Sequence, residues 1–237
     1  MLLPELALTS YPPRDLALNS AFIAKNLEAL DRLARRTVKT GLLVTYIGRN
    51  ENQPGRKATN SIALLQNGKL LATRAKTLLP TYDVFDEDRY FEPATENAPV
   101  DFNDVKIGLT ICEAVWNDEN FWADRRYRRN PPGELAAAGA RLIINASASP
   151  WHRGKNRTRR EMLSNFAVKS KCPVIYCNLV GGNDELIFDG NSLVFNERGQ
   201  LLAEGKKFAE DFLVVDLETA GSCPHIEPVE EEKVYRA

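Results

Sequence analysis

Cys112 closes the apolar run Val105-Lys-Ile-Gly-Leu-Thr-Ile and is followed at once by Glu113, Ala114, Val115 and Trp116. A strand that delivers a cysteine to a sharp turn, with a helix starting just beyond, would expose the thiol at a sheet edge. The N–H groups of the turn could then bind an oxyanion. The same position also suits a packed cysteine, because a free thiol behaves as a small buried hydrophobe. To act as a nucleophile the thiol needs a base, since its unperturbed pKa is about 8.5. Histidine is the usual base, and the chain has 2 histidines, His225 in the tail and His152 in Ser149-Pro-Trp-His-Arg. His152 therefore keeps a Cys–His route open. A carboxylate and an ammonium offer another: Glu5 ends the apolar stretch from Leu2, and Lys76 follows the stretch Leu70 to Ala75. Each alone reads equally well as a solvated charge. With Cys112 they make three reactive groups at strand ends, where functional side chains collect.

The elements that must position these groups follow from periodicity. Leu2 to Leu6 reads as the end of a strand. Leu16, Phe22, Ile23, Leu27, Leu30 and Leu33 share one face of a helix over 15–36. Gly41 to Ile47 is a strand, and Ile62–Leu65 and Leu70–Ala75 flank Asn67-Gly68, a strong hairpin signal. Val105 to Ile111 is a strand, and a charged helix spans 118–129 before Pro131-Pro132. A short helix at 134–139, a strand at 142–146, a helix at 155–171 and a strand at 174–178 follow. The last expected strands are 192–195, 201–204 and 212–217. Alternating strands and helices in the middle, with hairpins toward both ends, imply an α/β layered fold with a mixed sheet. From Thr219 the chain is Glu- and Pro-rich and reads as an arm, with a helix starting near Glu230.

Composition excludes several classes. The chain has 237 residues, 43% hydrophobic and 27% charged, with a net charge of −1. That suits one sizeable globular domain and gives no reason to expect nucleic acid or an anionic membrane as partner. No stretch of about 20 apolar residues is present, and 4 cysteines make no disulfide framework. A cytoplasmic setting is the default expectation. Cys172 and Cys177 fall on opposite faces of a strand, so no metal ligand pair is expected. Gly181-Gly182 is not part of a phosphate loop. The arginine-rich stretches 125–129 and 153–160 read as solvated helix faces.

Four segments carry a resemblance. They are Pro4-Glu-Leu-Ala-Leu-Thr-Ser-Tyr-Pro-Pro13, Lys76-Thr-Leu-Leu-Pro-Thr-Tyr82-Asp-Val-Phe-Asp-Glu87, Ile111-Cys-Glu-Ala-Val-Trp116 and Asn145-Ala-Ser-Ala-Ser-Pro150. Together they resemble the nitrilase (carbon–nitrogen hydrolase) superfamily. With Gly181-Gly-Asn-Asp-Glu-Leu-Ile-Phe-Asp-Gly190 they resemble, more narrowly, the glutaminase domains of glutamine-dependent NAD synthetases. The resemblance implies a four-layer α-β-β-α sandwich whose first strand and helix are missing. It makes 1–218 the hydrolase domain and 219–237 an arm toward an absent synthetase domain. It implies a catalytic Glu5, Lys76 and Cys112, with Tyr82, Glu87, Ser149 and Lys155 contacting glutamine or lying beside the triad. Residue by residue, Glu87 also reads as a solvated charge, Ser149 as a turn residue before Pro150, and Lys155 as a helix start. Glu113 would steady the turn or simply favour the helix start. No cofactor is expected in this chain, since ATP and magnesium would belong to the synthetase domain. The partners implied are L-glutamine, that ATP-binding domain and further copies in a homo-oligomer. A stand-alone amidase on another small amide, and a non-catalytic relative, remain the alternatives.

Overall fold

The computed structural model describes residues 1–51 and 54–224. Its architecture is two sheets packed face to face with helices outside both. The smaller sheet is antiparallel, in the order β1 (Leu42–Arg49), β2 (Ala58–Gln66), β3 (Lys69–Ala75). Asn67 and Gly68 form the turn between β2 and β3 with φ of 51° and 76°, the paired positive angles that suit a tight hairpin. The larger sheet contains β4 (Val100–Phe102), β5 (Val105–Ile111), β6 (Leu142–Ser147), β7 (Val174–Asn178), β10 (Leu193–Phe195) and β11 (Leu201–Glu204). Its order is β11-β10-β7-β6-β5-β4, with β5, β6 and β7 parallel. A separate hairpin pairs β8 (Val180–Asn183) with β9 (Leu186–Asp189).

Burial on both faces explains why these strands read as nearly continuous apolar runs. Leu43, Ile62 and Leu64 of the small sheet meet Ile107, Leu109, Ile111 and Ile144 of the large one. The outer face of the small sheet, Val44, Tyr46, Ala63 and Leu65, is covered by Leu30 and Ala34 of α1 (Ser20–Arg36). The outer face of the large sheet packs under Leu135 of α2 (Pro131–Ala137) and Met162, Leu163 and Phe166 of α3 (Lys155–Ser170). Gly108 lets α2 approach: a Cβ there would lie 2.6 Å from Ile143 Cδ1 and 3.1 Å from Leu135 Cβ.

Several expected elements differ. The helix expected from Asp15 starts at Ser20, because Asn19 accepts the N–H groups of Ala21 and Phe22 and caps it there. Leu2 to Leu6 is not a strand; Leu2 makes one parallel bridge with Leu43, and Glu5 sits in the turn that follows. The segment 118–129 is not a helix. Asn117 binds Tyr127 N–H and the carbonyls of Tyr127 and Arg129, and Asp118 accepts the Asn120 N–H, so side chains take the groups a helix would use. Residues 212–217 form no strand. Asp211 and Asp216 capture nearby N–H groups, and Phe212 and Val214 stand exposed. The arm beyond Pro224, with His225 and the helix expected near Glu230, lies outside the described residues.

Candidate functional site

Glu5 lies where the two sheets meet. Its turn is tied to β1 by Thr45, whose Oγ1 donates to the Pro4 carbonyl and accepts the Ala7 N–H. The Glu5 N–H donates to the Ser147 carbonyl at the end of β6. The side chain is fully buried, so it needs partners. Oε1 accepts from Lys76 Nζ at 2.7 Å and from Asn60 Nδ2 at 2.7 Å, and Oε2 accepts the Ala148 N–H at 3.0 Å. Asn60 belongs to β2 and also accepts the Lys76 N–H on its carbonyl at 2.7 Å. Lys76, just past β3, is thus fixed at both ends. Its ammonium also meets Glu87 Oε1 at 2.6 Å. Glu87 opens a short 3-10 turn, Glu87–Arg89, is buried, and accepts the Tyr11 hydroxyl at 2.8 Å. The solvated-charge reading of Glu87 therefore fails.

Cys112 is also buried, with 6% exposed, and β5 lies inside the large sheet, flanked by β4 and β6. The expected exposure of the thiol at a sheet edge is thus corrected: Cys112 belongs to the apolar cluster between the two sheets. Cys112 starts a 3-10 turn, Cys112–Asn117, directly after an extended Ile111, and its own φ is 39°. A non-glycine residue at positive φ is strained, and such strain gathers where a side chain must be aimed.

One buried ammonium between two buried carboxylates leaves an excess of negative charge. Burial, with Glu5 nearby, pushes Glu87 up to about 7 despite Lys76. Burial works against the Lys76 ammonium, but Glu5 and Glu87 outweigh it and hold it charged well beyond the ordinary range. The Cys112 thiol is pushed far up, first by burial and then by Glu5, while Lys76 opposes this. The resting group is therefore a thiol, and the charges of Glu5, Lys76, Glu113 and Glu87 all reach its sulfur. Loss of its proton must be coupled to attack.

The other expected residues surround this cluster. Tyr82 donates to both oxygens of Glu113, at 2.8 and 3.0 Å, and Arg126 stacks 3.8 Å from the centre of its ring. Glu113 is buried, which raises its pKa. Its partner is a tyrosine, so it does more than favour a helix start. Ser149 is buried, and its N–H donates to Asn178 Oδ1 at 2.9 Å. Lys155 Nζ donates to the Pro150 carbonyl at 2.8 Å and lies 5.3 Å from the Trp116 ring centre. Burial, and then the neighbouring Arg159, lower Lys155 to about 8. His152 is exposed, with Nδ1 on the Arg153 carbonyl; among the described residues none of the groups that shift Cys112 is a histidine. Arg159 is fully buried, so its part of the arginine-rich stretch is not a solvated face. Asn60 and Tyr11 went unnoticed in the sequence. Asn60 stands between Thr59 and Ser61, ahead of the apolar run from Ile62, so no pattern marks it; Tyr11 lies inside the Pro4–Pro13 segment, which is the signal that could have found it. Among the described residues no cluster of His, Cys, Asp and Glu could hold a metal ion, and no helix is long and apolar enough to cross a membrane.

Known proteins share this arrangement of chain. A glutamine-dependent NAD(+) synthetase of Synechocystis sp. is 42% identical over 219 residues, covering 91% of this chain and 39% of the relative. One from Thermotoga maritima is 38% identical over 221 residues, covering 92% and 36%. The chain thus spans less than two fifths of these relatives' length. Among solved structures, a glutamine-dependent NAD+ synthetase from Acinetobacter baumannii in complex with ADP superposes with a TM-score of 0.85 at 28% identity, over 99% of this chain and 43% of that one. An amidase from Nesterenkonia sp. shares the fold, with a TM-score of 0.67. The carbon-nitrogen hydrolase family model matches residues 1–223, and this chain belongs to that family.

Proposed function

We propose that this chain hydrolyses the side-chain amide of glutamine to glutamate and ammonia through a thioester on Cys112. The observation that carries the reading is the buried Glu5–Lys76–Glu87 cluster whose charges reach a thiol set at positive φ. Glu5 takes the Cys112 proton as the sulfur attacks the amide carbon. Its Oε2 accepts one N–H in the described contacts, leaving an acceptor position on that oxygen for the thiol. Lys76 and the N–H following Cys112 stabilise the oxyanion. Glu5 returns the proton to nitrogen, the C–N bond breaks and ammonia leaves. Glu5 then deprotonates water, which adds to the thioester; the C–S bond breaks and the proton returns to sulfur as glutamate departs. Glu87 holds Lys76 in place and keeps its charge. Tyr82, Ser149 and Lys155 receive the α-amino and α-carboxylate groups of the substrate.

The names of the relatives support glutamine as the substrate and the synthesis of NAD(+) as the use of the ammonia. In that reading the ATP-dependent amidation of deamido-NAD belongs to a synthetase domain, the partner of this one. The test is ammonia release by the purified chain from glutamine, compared with release from other small amides. Cys112→Ala should abolish it, and His152→Ala should leave it intact. Loss in the histidine variant with retention in the cysteine variant would overturn the assignment. Turnover of other amides in preference to glutamine would instead favour a stand-alone amidase.

A further inference from the structure

The segment from Gly181 to Gly190 has no part in the chemistry above, yet it ends on a fully buried charge. Asp189, the last residue of β9, and Arg159, on α3, are both 0% exposed. Arg159 Nη1 lies 3.3 Å from both Asp189 oxygens and Nη2 lies 3.3 Å from Oδ1. Nη1 also donates to Asn156 Oδ1 at 3.2 Å. From β7, Asn178 Nδ2 donates to Asp189 Oδ1 at 3.2 Å and to the Gly190 carbonyl at 2.9 Å. The same amide grips the backbone of Ser149 on both sides: Oδ1 accepts its N–H at 2.9 Å and Nδ2 reaches its carbonyl at 3.5 Å. An unbroken set of polar contacts therefore runs from α3 through β9 and β7 to Ser149. Lys155 closes the circuit, since it starts α3 and donates to the Pro150 carbonyl.

A buried ion pair of this kind is weak evidence for stability, because well-packed apolar side chains of similar volume often hold a core as well. Its distinctive property is direction, since each hydrogen bond fixes an atom along a line. Here the fixed atoms belong to the loop that carries Ser149 and Lys155. We propose that Arg159, Asp189 and Asn178 are positioning residues that set this loop to receive an α-amino acid head group, and so select glutamine over a simple amide. Lys155 is half-buried beside the fully buried Arg159; desolvation first and then Arg159 lower its pKa, and its ammonium donates to a carbonyl rather than to a carboxylate. An incoming carboxylate would complete the charge balance. This inference rests on the glutaminase reading.

The test compares two alkylating probes of Cys112 in the full chain, alongside steady-state kinetics with glutamine. One is iodoacetamide, which has no head group; the other is a chloroketone analogue of glutamine with its α-amino and α-carboxylate groups. Asn178→Ala and the nearly isosteric Asp189→Asn should raise KM for glutamine and slow the chloroketone by about ten- to hundredfold, while iodoacetamide stays within about twofold. Arg159→Lys, which keeps the charge but not the planar fork, should fall between wild type and these variants. Equal slowing of both probes, or of neither, in a wild-type-active background would overturn the positioning role alone. If Asn178→Ala does not fold, Asp189→Asn decides by the same criterion. A wild-type chain inert toward both glutamine and the chloroketone would overturn the glutaminase reading, and this inference with it.

Discussion

Replacing Lys76 with Met tests the electrostatics of the buried cluster. The ammonium sits 2.7 Å from Glu5 and 2.6 Å from Glu87, and neither Lys76 nor Glu5 has any side-chain exposure. Met keeps the length and apolar stem but leaves two buried carboxylates facing each other without a cation. Removing one partner of a buried pair typically costs about 3–5 kcal/mol, and that loss is expected at pH 8. The pH dependence carries the stronger test. Glu87 already stands at about 7, raised by burial and by Glu5. A carboxyl raised in the folded state contributes stability that is fully present below its unfolded pKa and is lost as pH rises through the folded value. In the wild type that loss falls between about 4.5 and about 7. Lys76 is what lowers Glu87 against burial and Glu5, so without it Glu87 is pushed further up and the variant should regain stability on acidification. The gain is roughly 1.4 kcal/mol for each pH unit over which one extra proton is held only in the folded state. Urea unfolding at pH 8 and pH 5 should show a large difference between wild type and variant at pH 8 and a much smaller one at pH 5. Lys76→Met with Glu87→Gln should recover part of the loss at pH 8. An equal loss at both pH values would refute the reasoning. Alkylation of Cys112 should also slow, because Lys76 is the charge that favours its thiolate.

Other outcomes are expected. Cys112→Ala should abolish turnover while shifting unfolding free energy by no more than about 1 kcal/mol, as only the sulfur is removed; urea titration and ammonia assay together check it. Lys155 is lowered to about 8, so it carries its charge below that pH and loses it above. KM for glutamine should therefore rise as pH passes 8, and Lys155→Arg should flatten that rise. Tyr82→Phe removes one of the two tyrosine donors to Glu113, leaving Tyr127, and should raise KM for glutamine by about three- to tenfold, the scale of one hydrogen bond lost from an acceptor that keeps another donor. Gly108→Ala places a methyl 2.6 Å from Ile143 Cδ1 and should cost about 1–3 kcal/mol by overpacking, measured by thermal or urea unfolding, with activity per folded molecule preserved.

Local signals carried much of the fold. The Asn67-Gly68 turn, the stripe of α1 and the apolar runs of β5, β6 and β7 each follow from spacing alone. Elements decided by single side chains were illegible. Asn117 and Asp118 dismantle a helix that charge and length favour, and β8, with Gly181 and Gly182, has too little strand character to be read. In the candidate site, Glu5, Lys76 and Cys112 are singled out only by the ordered motifs, since any one of them alone reads as a surface charge or a packed thiol. Arg159 was misread because nothing in an arginine-rich stretch tells which guanidinium turns inward. The answer lies in Asp189, 30 residues away. The burial of Cys112 comes from packing with Leu43, Ile62 and Leu64 of the other sheet, far away in sequence, which local spacing does not show.

The division of the site between the sheets has a mechanical consequence. Asn60 and Lys76 are anchored to the small sheet, Cys112 and Ala148 to the large one, and Glu5 is tethered to both through Thr45 and Ser147. Glu5 thus bridges the sheets, while Lys76 is held from the small sheet and Cys112 from the large one. The interlock of Leu43, Ile62 and Leu64 with Ile107, Leu109 and Ile111 acts as a vernier on their separation. The distance between Lys76 and Cys112 is therefore set by how the two sheets pack, and not by either sheet alone.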